Sequence, residues 1–432
     1  MAVTDAEEVT AALAEARARF RSIIEPFDEP VLRRQHDVLM SPLLWDLAHV
    51  ANYEDLWLVR ALGGAPTRTG LDDLYDAFQQ PRRVREALPL LDLAQAHAYG
   101  DAVRARALEH LAGADLAPDG PDPLLRHGFV HRMVAQHEHQ HAETLLAAVQ
   151  LLPADEGHVL DAAPPPPAQV MPPAEVLVPG GPFAMGADDP ASLDNERPVH
   201  EVDVPAFWMD AAPVTNGQYC RFVEDGGYDD RSWWGERGWA WRAEADLAAP
   251  QFWRRDGERW ARLRFGTVEP VPDDEPVQHV CWHEADAYAR WAGRRLPTEA
   301  EWEKAARFDP TTGTSRRWPW GDDEPGQRHA NLGQRHLGPA PVGAYPEGVS
   351  AVGCHQMIGD VWEWTASDFR SYPGFEWFPY AEYSDVFYGG DYKVLRGSSW
   401  ATDATVGRTT FRNWDHPIRR QIFAGFRTAR DC

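Results

Sequence analysis

The chain has 432 residues and a formal net charge of −25. This length suggests two or three domains, and 44% hydrophobic with 25% charged residues is the composition of an ordinary globular protein. A field of that sign repels phosphate backbones and anionic lipid, so we expect neither nucleic acid nor a membrane as partner. An anionic substrate would need a local basic patch.

The N-terminus and the cysteines indicate the compartment. We expect no secretory signal, because the first residues are acidic and lack a continuous apolar core, and no stretch is long and apolar enough to span a bilayer. The four cysteines are scattered without a C-x-x-C pair, which is typical of reduced thiols. The sequence therefore predicts a cytoplasmic protein.

Residues 1–155 are predicted to form a four-helix bundle. Thr4 is a candidate N-cap for the first helix, and Ser41 for the second, with Pro42 at its first helical position. Four helices joined by polar loops favour a bundle, in which metal sites are built from facing side chains of the core. The predicted helices are 4–24, 41–62, 91–111 and 131–152.

Residues 156–174 are predicted to be a linker, because six prolines fall within 161–173 and cannot continue a helix. Beyond it, short apolar runs punctuated by Gly and Pro alternate with helices that begin at Thr215, His283 and Thr298. The last of these has a capping box of Thr298 with Glu301. We therefore predict an α+β protein of two domains, the second spanning 175–432 with long ordered loops.

The segment HRMVAQHEHQHAETLL (131–146) contains a candidate metal site. On a helix His137 and His141 lie about 40° apart on one face, so both imidazoles can meet one ion. His139 lies on the opposite face. Glu143 is near His139 by angle and is therefore a poor co-ligand from this helix.

The same residues also spell H-E-x-x-H, the zinc-peptidase motif in which Glu138 would be the base. That site needs a further ligand, and only Glu156 follows nearby, in an unpromising segment. His49 in WDLAH is a better third ligand, although a lone histidine there would be interpreted as a core residue bonded to a backbone carbonyl. Three imidazoles suit Zn(II) or Fe(II), and the residues alone do not separate these metals.

The second half contains, in order, the strings VPGGPFAMG, DNERPVHEVDVPAF, PVTNGQYCRF, RRLPTEAEWEKAAR, GDVWEWTAS, VLRGSSW and AGFR. Together they resemble the formylglycine-generating-enzyme family, a variant of the C-type-lectin-like fold. The first half, with H-x-x-x-H-x-E at 137–143 and WDLAH at 45–49, resembles a DinB-type bundle. Their fusion resembles the ergothioneine-biosynthesis sulfoxide synthases (EgtB family).

The resemblance implies Fe(II) bound by His49, His137 and His141, with O2 as co-substrate. The implied reaction joins the sulfur of γ-glutamylcysteine, or of cysteine, to C2 of the imidazole of hercynine and gives a sulfoxide. Formylglycine-generating enzymes use a cysteine pair near the C-terminal GFR motif. No cysteine lies between Arg412 and Arg427 here, which favours the synthase branch.

Matching positions imply further roles. Tyr380, in PYAEYS, corresponds to a catalytic tyrosine that donates a proton and steers the reaction away from thiol dioxygenation. Without the resemblance it would be interpreted as a packing residue. The implied substrate-binding residues are Arg82 and Arg85 for the carboxylates of γ-glutamylcysteine, Asp415 and Arg419 for the sulfur donor, and Gln140, Tyr383, Asn413 and Trp414 for hercynine.

Other interpretations remain open on the residues alone. Asp415 with Arg419 could be a structural salt bridge, and the arginines of 82–85 a solvated surface. An ovothiol-type synthase, which joins cysteine sulfur to imidazole C5, is the nearest alternative, but such enzymes often carry a methyltransferase domain and this chain ends five residues after Arg427. A non-catalytic lectin-like binding module is an alternative of a different class.

Overall fold

The computed structural model describes residues 5–153 and 162–432, and the chain divides into two compact units, 1–159 and 160–432. The division falls inside the predicted linker. Thr4 and Glu156 lie outside the described residues. No helix among the described residues is long and apolar enough to cross a membrane.

The first unit is helical. Its four long helices bury the apolar side chains that the 3.6-residue spacing predicted, among them Val9, Leu13 and Phe20 on the first. The third helix continues without a break into a π-helix, Asp55–Arg60. The helices are α1 Asp5–Ile24, α2 Glu29–Arg33, α3 Leu43–Glu54, α4 Asp72–Tyr75, α5 Leu93–Leu111 and α6 Phe129–Gln150, with 3₁₀ turns at Arg82–Ala87 and Arg126–Gly128.

The start of α3 differs from the prediction. Pro42 occupies the N-cap position and no side chain caps the helix. Ser41 does not act as the cap because its hydroxyl accepts a hydrogen bond of 2.6 Å from the Arg85 guanidinium. The start of α5 is shifted by two residues, because Asp92 forms a capping box with Gln95.

The second unit is a mixed α+β domain with small sheets and long loops. The strands are β1 Glu175–Val178, β2 Gly181–Met185, β3 His200–Val204, β4 Phe207–Asp210, β5 Trp253–Asp256, β6 Arg259–Arg264, β7 Thr267–Pro270, β8 Phe308–Asp309, β9 Thr314–Ser315, β10 Trp362–Asp368, β11 Lys393–Arg396, β12 Asn413–Asp415, β13 Ala424–Gly425 and β14 Ala429–Asp431. The largest sheet has four strands in the order β12-β11-β10-β13, and a three-stranded sheet has the order β1-β4-β14.

The helices of this unit begin at the caps expected from the sequence, with one difference. Thr215 and Thr298 both form capping boxes. The middle helix begins at Trp282 behind Cys281, one residue before the predicted start. The sequence interpretation did not identify the helix at 236–244. The helices are α7 Asn216–Glu224, α8 Glu236–Glu244, α9 Trp282–Trp291 and α10 Glu299–Arg307, with 3₁₀ turns at Asp194–Glu196, Arg231–Trp233, Pro346–Gly348, Ala381–Tyr383 and Asp385–Phe387.

The proline-rich segment is irregular from residue 162, but part of it is fixed to the second unit. The backbone amides of Gln169 and Val170 both donate to the carbonyl of Gly343. Gly343 has φ +86°, and a Cβ there would lie 2.0 Å from the Val170 carbonyl oxygen. A side chain at Gly343 would therefore push the segment away.

Candidate functional site

Three imidazoles of the helical unit converge. His49 comes from α3, and His137 and His141 come from α6. One ring nitrogen from each lies within 4.8 Å of the other two. The ring centroids of His137 and His141 are 4.5 Å apart, as expected of residues four apart on one helix face, and His49 is 4.7 Å from His141. These three form the one such group of His, Cys, Asp and Glu found in the described part of the chain.

Hydrogen bonds fix which nitrogen faces the shared space. His49 Nδ1 lies 2.7 Å from the Tyr75 carbonyl oxygen, and His141 Nδ1 lies 3.1 Å from Asp46 Oδ1. Each Nδ1 is therefore the N–H donor, and Nε2 keeps its lone pair for a metal. A core histidine would make the same bond to a carbonyl. In His49 this bond also leaves Nε2 available to bind a metal.

Aromatic side chains also stack on two of the three imidazole rings. His49 stacks on Trp45 with centroids 4.5 Å apart, and His137 stacks on Tyr53 at 3.7 Å. Burial lowers the pKa of His49 and of His137 well below the usual range. Both imidazoles are therefore neutral at pH 7, which is the form that binds a metal.

The glutamate of the H-E-x-x-H motif forms ion pairs inside the helical bundle. Glu138 is 2% exposed and forms ion pairs with Arg17 and, at 3.2 Å, with Arg104. Both arginines also pair with buried Glu54, at 2.6 and 2.5 Å. A carboxylate fixed between two guanidinium groups inside the bundle cannot act as a general base toward a substrate, so this arrangement argues against the peptidase interpretation.

The two predicted arginines of the helical unit differ in environment. Arg82 is exposed. Arg85 is buried, and its three nitrogens donate to Ser41 Oγ and to the carbonyls of Gln80 and Ala77. Its Cζ lies 3.5 Å from the Trp45 ring centroid, and burial lowers its pKa to about 10. Arg85 thus supports the tryptophan on which His49 stacks, and no carboxylate of the described residues pairs with it.

In the second unit the aromatic residues of the predicted site contact one another. Trp414 stacks on Phe369, with centroids 4.2 Å apart and planes at 7°. Tyr383 is edge-on to Trp414 at 5.9 Å, and Tyr380 is 6.1 Å from Tyr383. Tyr380 and Tyr383 are half-buried, and desolvation raises the pKa of Tyr383 well above its usual range. This cluster offers aromatic faces of the kind that bind a quaternary ammonium.

Of the remaining predicted residues, Asn413 and Asp415 lie on strand β12, Arg419 follows it, and Gln140 lies on α6. The side chains of Asn413 and Asp415 project from one face of this edge strand, and the side chain of Trp414 projects from the other, because side chains alternate along a strand. Arg419 Nε is 3.7 Å from Asp415 Oδ2, an ion-pair distance longer than a hydrogen bond. Gln140 is half-buried on α6, beside His141.

Comparisons with known proteins agree with this architecture. Residues 161–432 match the model of the sulfatase-modifying factor enzyme 1-like domain, and residues 12–145 match the DinB superfamily. The hercynine oxygenase of Mycobacterium tuberculosis is 53% identical over 437 residues, covering 99% of this chain and 100% of that protein. This chain belongs to the hercynine oxygenase family. The hercynine oxygenase of Mycolicibacterium thermoresistibile is 52% identical over 443 residues, covering 100% of this chain and 96% of that protein.

Membership of the hercynine oxygenase family makes this chain an oxygenase, and it confirms the predicted fusion of a DinB-like bundle with a formylglycine-generating-enzyme-like domain. The inactive Cα-formylglycine-generating enzyme 2 of Mus musculus is 33% identical over 287 residues, covering 60% of this chain and 85% of that protein. Sequence reasoning did not identify Asp46, Tyr53 or Tyr75 as neighbours of the imidazoles. Asp46 could have been found, since it lies three residues before His49 in an otherwise apolar stretch.

Proposed function

We propose that this chain is an Fe(II)- and O2-dependent sulfoxide synthase that joins a thiol sulfur to C2 of the hercynine imidazole. The group of three converging imidazoles carries the proposal, together with relatives of matching length that are named for hercynine. The sulfur donor is γ-glutamylcysteine or cysteine. The four cysteines are free thiols in the structure, which supports a cytoplasmic setting.

The proposed reaction is balanced without an external reductant. One S–H and one imidazole C–H bond break, a C–S bond forms, and O2 accepts four electrons. One oxygen atom enters the sulfoxide and the other leaves as water. A bound Fe(II) held by His49, His137 and His141 supplies a redox centre with positions left for O2 and substrate.

The residues of the chain have separate roles in this proposal. Tyr380 donates a proton during the reduction of O2 and so favours C–S bond formation over dioxygenation of the thiol. Trp414, Tyr383, Asn413 and Gln140 bind hercynine, whose trimethylammonium group is attracted to aromatic faces. Asp415 and Arg419 bind the ammonium and carboxylate of the sulfur donor, and Arg82, which is exposed, favours the dipeptide donor. Arg85, whose three nitrogens donate to protein oxygens, acts instead through its contact with Trp45.

A single-turnover experiment tests the main claim. The protein is loaded anaerobically with Fe(II), mixed with hercynine and either γ-glutamylcysteine or cysteine, and exposed to O2. Mass spectrometry should find the hercynine–thiol sulfoxide, and NMR should show substitution at imidazole C2. Absence of the sulfoxide with both donors would refute the proposal, and substitution at C5 would assign the ovothiol-type reaction instead.

The role of Tyr380 has its own test. Tyr380→Phe should lower the ratio of sulfoxide to oxidised thiol, because the phenolic proton is lost while the ring is kept. Tyr345→Phe is a matched control, since Tyr345 is buried in the same unit with a hydroxyl that makes no hydrogen bond to the described residues. An unchanged product ratio in Tyr380→Phe would contradict the role.

A further inference from the structure

A buried carboxyl group anchors the end of the segment that carries Tyr380 and Tyr383. Ser384 is fully buried, and its hydroxyl donates a hydrogen bond of 2.6 Å to Asp194 Oδ1. The backbone amide of Phe378, at the other end of the segment, lies close enough to the Asp194 carboxyl group to favour its charged form. Asp194 is 190 residues away in sequence from Ser384, on the 3₁₀ turn Asp194–Glu196.

The segment 378–384 belongs to no strand, and its internal backbone hydrogen bond, from the Tyr383 amide to the Tyr380 carbonyl, is long at 3.5 Å. Side-chain anchors contribute to the conformation of an irregular segment of this kind. The bond from Ser384 to Asp194 is such an anchor, and it lies directly after Tyr383.

Asp194 differs from the acid two residues after it. Glu196 is neutralised by an ion pair with Arg408. Asp194 is 2% exposed, and no ion pair to it is found among the described residues. Its second oxygen, Oδ2, makes no hydrogen bond to any described residue. Burying a carboxyl group without a cation is costly, so the fold retains a destabilising group whose contacts are directed at this segment.

We propose that Asp194 is a positioning residue for Tyr380 and Tyr383. It anchors the segment 378–384 through Ser384 and so fixes the position of the Tyr383 ring against Trp414 and of the neighbouring Tyr380 phenol. This inference rests on the proposed proton-donor role of Tyr380. A displacement of about 1 Å in a catalytic group can cost about 100-fold in rate, so loss of this anchor has a large effect on proton delivery.

The test compares Asp194→Ala, which removes the acceptor of the anchoring hydrogen bond and the carboxyl group near the Phe378 amide, with Ser384→Ala, which removes only the donor of that bond. Asp194→Ala should lower the rate of sulfoxide formation by about 10- to 100-fold and raise the share of oxidised thiol in the product. Ser384→Ala should shift the same ratio in the same direction by less, and it serves alone if Asp194→Ala does not fold. Asp309→Asn is the control, because Asp309 is a buried acid of the same unit that bonds Thr311 and Arg316 instead.

A double-mutant cycle separates positioning from a general structural effect. In the Tyr380→Phe background, Asp194→Ala should leave the product ratio where Tyr380→Phe alone puts it, because both act through one phenol. If Asp194→Ala and Ser384→Ala lower both products equally, with an unchanged ratio, Asp194 is only structural and the inference is wrong. Failure of the wild-type protein to form any sulfoxide would refute the proposed function itself, so the two failures are distinguishable.

Discussion

At the scale of single residues, neighbours on one helix have opposite roles. His137 and His141 of α6 belong to the imidazole group with His49, whereas His139 lies between them in sequence but not in that group. Glu138, also between them, is fixed by Arg17 and Arg104. The helical period accounts for this division, because successive residues are rotated by about 100° around the axis.

Three single substitutions in the segment 137–141 should therefore differ in their effect on metal binding. His137→Ala should abolish stoichiometric Fe(II) binding because it removes a ligand. Glu138→Gln and His139→Ala should keep about one Fe(II) per chain, although both change buried groups and lower the thermal stability. Anaerobic loading, desalting and iron quantification make the comparison, and equal loss of iron in His139→Ala would contradict the assignment.

Asp46 should affect metal affinity without being a ligand. Its carboxylate accepts the Nδ1–H of His141, which fixes the tautomer and the orientation of the ring. Asp46→Asn should weaken Fe(II) binding by about 10- to 100-fold, measured anaerobically by competition with a chelator. Asp55→Asn is a matched control, because Asp55 is equally buried in the adjoining π-helix but bonds Thr67 and Arg60. An effect of equal size in the control would contradict this role.

At the scale of elements, α6 carries a second row of buried polar groups. His131 lies two turns before Glu138 and is fully buried, and neither ring nitrogen has a hydrogen-bond partner among the described residues. Burial lowers the pKa of His131 to about 4, and nearby Glu54 opposes this only in part. The imidazole is therefore neutral in the folded protein at pH 7.

This buried histidine predicts a loss of stability in acid. In the unfolded chain the imidazole takes up a proton below about pH 6.5, while in the folded protein it does so only near pH 4. Its contribution is fully present above about pH 6.5 and is lost as the pH falls toward 4. Between pH 7.5 and 5 the wild type should lose about 2 kcal/mol more free energy of unfolding than His131→Leu.

Urea unfolding of both proteins at the two pH values measures this difference. The other titrating histidines are common to both proteins, so their contributions cancel in the comparison. Equal losses in the two proteins would show that His131 is protonated as readily in the folded state as in the unfolded state.

At the scale of the whole molecule, the imidazole group belongs entirely to the helical unit, while Tyr380 and its anchor belong to the other unit. Binding a metal to the folded state stabilises the elements that supply its ligands. Loading with Fe(II) should therefore slow amide hydrogen exchange in α3 and α6, and chelation should reverse the effect. Strands β10 and β11 serve as the internal reference, and equal protection of these strands would contradict a metal site confined to the bundle.

Much of this protein followed from local sequence. The fold class, the family and most of the long helices were predictable, because the features that indicate them depend on residues close together in the chain. These features are the spacing of His137 and His141, the capping boxes at Thr215 and Thr298, and the ordered strings of the second half. Ser41 shows the limit of local reasoning. It has the chemistry of an N-cap, but Arg85, 44 residues later, takes its hydroxyl.

Only the tertiary structure decided which distant groups meet. The bonds of Asp46 to His141, of Tyr75 to His49 and of Asp194 to Ser384 join residues 95, 26 and 190 positions apart. The types of these residues are common at many positions, and their roles come from burial, which removes water as the competing partner and leaves one acceptor for each donor. The sequence by itself determined the family and predicted which three imidazoles would meet, and the fold determined what holds those imidazoles and the proposed catalytic tyrosine in position.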